Sequence, residues 1–232
     1  MRSYAGAGGM VQGAILSAGG GGGGGIAEVA GVKNEVSNFT SSTSLALAFS
    51  AAIQTGDLLV VCVSGFGALT VASITDTLSN SWAFVQGNDA GDNAFVIGYA
   101  ISNGNGTPTV TVTWNQSCAG WFMSVDAFRG VHATPLDVDG GVSNGTSTTP
   151  ADSITTVAAN ALIVAAMTHN GSANESITEN GAWTLIHDEE NGASLQCGSH
   201  IYRLAGAAGA YTASWTISSH AWIAGTVSFK PA

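Results

Sequence analysis

Charge is what this sequence has least of. Asp, Glu, Lys and Arg make up only 9% of the 232 residues, against roughly 25% in ordinary globular domains. Five Lys and Arg face 15 Asp and Glu, a net charge of −10. So few cations assemble no basic patch, and neither a nucleic-acid partner nor electrostatic attachment to an anionic bilayer is expected. Cysteine is scarce too. The three, Cys62, Cys118 and Cys197, are an odd number with no CxxC, so they make no complete intrachain disulfide framework. Cys62 sits in the apolar run Leu58–Val63 and reads as a small buried hydrophobe.

Long hydrophobic runs are also missing. No stretch approaches the roughly 20 apolar residues that span a bilayer as a helix, and no membrane association is expected. Residues 1–25 have Arg2 as their sole basic residue and do not read as a signal peptide, so a soluble product made in the cytoplasm is expected. The five histidines, at 132, 169, 187, 200 and 220, show neither HxH nor HExxH spacing. The glycine run lacks the Lys-Ser/Thr that would meet a phosphate. No histidine or aspartate is placed by a recognisable hydrolase motif. Enzymatic activity, a metal and a cofactor are accordingly not expected.

Glycine is abundant, with 32 residues, and unevenly placed. Residues 1–25 form a glycine-rich arm ending in Gly19, Gly20, Gly21, Gly22, Gly23, Gly24 and Gly25. Glycine loses the most backbone entropy on ordering and has no side chain to bury, so such an arm needs a neighbour to hold it. It is read as an assembly arm.

From Ile26 onward the pattern is strand-like. Leu45, Leu47 and Phe49 alternate with small residues. Leu58–Val63 is an apolar run short enough to be a strand covered on both faces. No segment sustains a 3.6-residue period, so the class is all-β. Val110–Phe128 reads as a β-hairpin with Trp114 and Trp121 on either side of its turn, and it returns near the C-terminus as Tyr211–Phe229 with Trp215 and Trp222.

All six tryptophans pair at one offset: Trp82 with Trp183, Trp114 with Trp215 and Trp121 with Trp222, each 101 residues apart. Gly56–Ser64 likewise returns as Asn160–Thr168. The chain is read as a β-sandwich of jelly-roll or immunoglobulin-like type built by internal duplication. Its parts are the arm 1–25, a first repeat 26–136, a Gly/Ser/Thr-rich linker 137–150 and a second repeat 151–232. The two halves are expected to pack tightly, because six strands alone leave open edges and a marginal core.

Two groups of residues are candidates for ligands. Trp82, Trp121, Trp183 and Trp222 offer aromatic faces that stack on sugar rings, although their recurrence in register also suits core positions. Asp137-Val-Asp139-Gly-Gly has the alternating carboxylates that open a calcium loop, without the third ligand or distal Glu. It is a weak metal candidate, as are the acidic clusters around Asp89 and Asp92 and from Asp188 to Glu190.

The succession Gly-Asp-Leu-Leu-Val-Val, Ile-Thr-Asp-Thr-Leu-Ser-Asn-Ser-Trp, Thr-Val-Thr-Trp and Ala-Phe-Arg-Gly-Val, ending in Pro135-Leu-Asp137 and followed by a second copy, resembles β-sandwich modules in structural proteins of tailed bacteriophages. It covers about residues 30–230. The resemblance implies a non-enzymatic virion component made in the host cytoplasm: a capsid cement or decoration protein, or a head or tail fibre subunit. Its partners would be major capsid or tail proteins and copies of itself, with a trimer favoured. The alternative is a carbohydrate-binding adhesin module that meets a cell-surface glycan.

Overall fold

The computed structural model describes residues 25–88, 93–118, 120–171, 176–190 and 196–232. Every regular element among them is a β-strand. In the N-terminal half these are β1 (Ala27–Glu28), β2 (Asn34–Asn38), β3 (Ser42–Ala48), β4 (Leu58–Phe66), β5 (Val71–Asp76), β6 (Ala83–Asn88), β7 (Asn93–Ile101), β8 (Thr109–Cys118) and β9 (Trp121–Arg129). The C-terminal half contains β10 (Val131–Ser147), β11 (Ala151–Thr156), β12 (Leu162–His169), β13 (Thr178–Asn180), β14 (Thr184–Glu189), β15 (Cys197–Leu204), β16 (Gly209–Thr216) and β17 (His220–Pro231).

These strands form four antiparallel sheets. One large sheet has the order β1-β9-β4-β7-β6, with β2 also on β9; the other has the order β10-β17-β12-β15-β14. Two small sheets have the orders β3-β8-β5 and β11-β16-β13. Side-chain alternation explains how they stack. In β8, Val110, Val112 and Trp114 are buried while Thr109, Thr111 and Thr113 look outward, the pattern of a sheet with one wet face. Strand β4 is buried from Leu58 to Gly65 because both faces are covered. Leu59, Val61 and Val63 join the β3–β8 residues Leu47, Val110 and Trp114 in one core. Leu58, Val60 and Cys62 join Leu162, Val164 and Phe229 of the other large sheet in a second. Beyond that sheet, Met167, Trp215 and Ala213 form a third. The large sheets therefore face each other in the centre, and each carries a small sheet on its outer side.

Two sequence expectations change. Val110–Phe128 is not a hydrogen-bonded hairpin: β8 pairs with β3 and β5, and β9 with β4, β1 and β2. The chain crosses between layers at this corner, because both strands have an apolar face and each buries it from its own sheet. Trp114 and Trp121 meet across that core with ring centroids 6.2 Å apart. Nor is 137–150 a bare linker. Residues up to Ser147 belong to β10 and pair with β17 through several bulges, since backbone groups beside an open sheet edge gain a full ladder of partners there. Gly19–Gly24 lie outside the described residues. Gly25 is exposed, and Ile26 directly after it is buried in the central core.

Candidate functional site

The aromatic candidates are dispersed. Trp121 is fully buried and Trp222 is 8% exposed, the latter donating its indole N–H to Ser147 Oγ at 2.9 Å. Both are core residues, as fold-determining positions of alternating strands should be. Trp82 and Trp183 are half-buried. The Trp82 indole donates to Asp76 Oδ2 at 2.5 Å, and Asp76 Oδ1 accepts from the Leu78 N–H at 2.6 Å. Trp183 donates to the Thr212 carbonyl at 3.3 Å. The structure brings no two of these four into a common platform.

The acidic candidates do backbone work. Asp137 accepts from the N–H groups of Val157 and Ala158 at 3.0 and 3.1 Å, and from Ser228 Oγ at 3.1 Å. Asp139 accepts from the Gly141 N–H at 2.9 Å. Among the described residues no three His, Cys, Asp or Glu side chains gather as a metal site. Asp89 and Asp92 lie outside the described residues. The string Gly141-Val-Ser143-Asn-Gly145 matches the GxSxG spelling of a nucleophile elbow, but it runs along β10 instead of turning sharply from strand to helix. Ser143 Oγ donates to the buried Asp152 at 2.7 Å, which also accepts from Thr226 at 2.7 Å. Burial pushes the Cys62 and Cys118 thiols up, away from the reactive thiolate.

What sequence reading missed is a polar seam between the two large sheets. Along β9, Phe122, Ser124, Asp126 and Phe128 share one face; β4 adds Ser64, and the opposite sheet adds His187, His200 and Tyr202. His200 is fully buried. Its Nδ1 lies 2.9 Å from Ser124 Oγ and its Nε2 lies 3.2 Å from Ser64 Oγ. Phe122 stacks on its ring at 4.9 Å. Burial, reinforced by the charge of neighbouring His187, holds the His200 pKa well below its ordinary range.

One rung further, Asp126 is 1% exposed. Its Oδ1 accepts from the Ala127 N–H at 2.7 Å, while its Oδ2 has no hydrogen-bond partner. Burial and then the Glu28 carboxylate raise its pKa to about 7. Tyr202 donates to Glu28 at 2.6 Å across the seam.

The rim of the seam is stitched by side chains. From β2 and the residue preceding it, Lys33 Nζ donates to the Leu185 carbonyl at 3.4 Å, Glu35 pairs with His187 Nδ1 at 3.0 Å, and Ser37 donates to Glu189. The signal in the sequence was present: Ser64, Ser124, Asp126 and His200 interrupt strands that are otherwise apolar. It was unreadable without knowing that the neighbouring strands β4 and β9 face β15 of the other large sheet.

An open pocket of about 250 Å³ lies between β6, β7 and the start of β10, with Ser81 and Tyr99 beside Ala83, Ile101, Ala133 and Pro135. Comparison of the chain with protein-family models, with curated proteins and with solved structures returns no match.

Proposed function

We propose that the chain is a non-enzymatic structural subunit of a phage particle, a capsid cement or decoration protein or a head or tail fibre subunit, that attaches through its glycine-rich N-terminal arm. The observation that carries this reading is the root of the arm. Gly25 is exposed, whereas Ile26 is buried in the central core and Ala27–Glu28 pair with β9. Twenty-four further residues, glycine-rich and costly to order alone, thus start from a fixed point on a rigid body. In the same proposal the body is an internal duplication of two jelly rolls. Supporting it, β9 pairs with β2 and β4, β8 with β3 and β5, and β7 with β4; β17, β16 and β15 repeat that nesting with β10–β13. The subunit is a homo-oligomer, with a trimer favoured, in contact with major capsid or tail proteins of the virion.

The test compares the full chain with residues 25–232. The shortened chain is expected to keep its thermal midpoint, to become monomeric by light scattering, and to lose labelling of purified particles by antibody. Undiminished labelling and an unchanged oligomer overturn the tether. A carbohydrate-binding adhesin module is the second reading, favoured by Trp82 and Trp183, the two indoles with partly exposed faces. A glycan array showing binding that Trp82→Ala and Trp183→Ala abolish would replace the first reading with it.

A further inference from the structure

We propose that Asp126 and His200 form a compensating pair in the seam between the two large sheets, both uncharged in the folded protein under mildly acidic conditions, so that acid does not prise the halves apart. The geometry places both groups where charge is costly. His200 is enclosed by Ser64, Ser124 and the Phe122 ring, and one neutral tautomer satisfies both of its nitrogens with those two hydroxyls. Asp126 has a buried oxygen without a partner, a place where a carboxylic acid is tolerated and a carboxylate is penalised.

The charged and titratable groups around the pair are few. His187 on β14, paired with Glu35, faces His200, and Asp188 and Glu189 follow it on the same strand. Glu28 on β1, Tyr202 on β15, Cys62 on β4 and Lys33 surround Asp126.

Opposite shifts have opposite consequences for stability. His200 is held below the ordinary 6.5, so the unfolded chain binds a proton that the folded one refuses. Its contribution is present above that value and is lost as pH falls below it. Asp126 is raised from 3.8 to about 7, so its contribution is fully present below 3.8 and is lost as pH rises through 7. Below pH 6.5 and above 3.8, while the folded histidine refuses its proton, the unfolded pair carries one proton, on histidine, and the folded pair carries one, on aspartate. The two slopes cancel.

Unfolding the full chain in urea at pH 4.5, 5.5 and 6.5 tests this, with each variant compared with the parent. Asp126→Asn exposes the histidine slope: its unfolding constant relative to the parent should rise about tenfold for each unit of acidification. His200→Gln exposes the aspartate slope, and its relative unfolding constant should fall about tenfold per unit. Variants that run parallel to the parent, or that shift in the same direction, overturn the pair. Should either fail to fold, NMR of the parent decides. The His200 ring should remain neutral at pH 5.5 and the Asp126 carboxyl should titrate near 7; ordinary titration of either overturns the proposal.

Discussion

The two large sheets meet through faces that differ in where bulk and hollow fall. The N-terminal sheet supplies bulk in Phe95, Phe122 and Phe128, all fully buried. The C-terminal sheet supplies hollows at Gly198 and Gly225. A Cβ on Gly198 would stand 2.7 Å from Phe122 Cζ and against the Met167 carbonyl, and one on Gly225 would meet the Phe95 ring and the Gly141 carbonyl at 2.9 Å. Each buried Phe contributes about 1.5–3 kcal/mol through the hydrophobic effect, and the glycines are what let the rings seat. The two halves have one strand order but place different residues on the faces they share.

This comparison breaks most sharply at Gly198. Gly198→Ala is expected to destabilise by about 3 kcal/mol or more in urea unfolding. Phe122→Leu should not rescue it, since the Met167 carbonyl is backbone that cannot step aside. Gly87 makes the contrast: an added Cβ there meets only side chains, the Phe95 ring and Ile223 Cδ1 at 3.0 Å. Gly87→Ala should cost about 1–3 kcal/mol alone and much less when combined with Phe95→Leu. A coupling below about 0.5 kcal/mol would show the two positions to be independent.

A smaller difference lies at the corner where the halves join. Arg129 makes two hydrogen bonds to the buried Asp57, at 2.7 and 2.8 Å, and Asp57 in turn accepts from the Gln54 N–H at 2.8 Å. At the corresponding places, 104 and 101 residues on, the second half has Ala161 and Lys230. Arg129→Ala, which strands a buried carboxylate, should cost about 1–3 kcal/mol. Lys230→Ala should change stability by less than about 0.5 kcal/mol. Equal costs at the two positions would erase the distinction.

The alternating and the doubly covered strands were legible. Thr-Val-Thr-Val-Thr-Trp alternates because one face of β8 is wet, and Leu58–Val63 does not because both faces of β4 are covered. The paired tryptophans Trp114 and Trp215, and Trp121 and Trp222, fall on strands that hold the same place in the pairing order of each half. The relation of β8 to β9 was less legible, since two alternating strands with a short polar connection read alike whether they pair with each other or arch between sheets. Strand β10 was hidden for another reason: Asp139–Pro150 is rich in residues that suit loops, and only the open edge of β17 recruits it into a ladder.

The sequence by itself determined the class: alternation, scarce charge and glycine punctuation permit strands and little else. It also set the burial of Trp114 and Trp215, because each sits at an inward position of an alternating strand. Only the tertiary structure decided that Ser64, Ser124, Asp126 and His200 share one seam and that Phe122 lies over Gly198. Those contacts join residues far apart in the chain, and a strand's period tells which face a side chain takes but not which sheet will cover it.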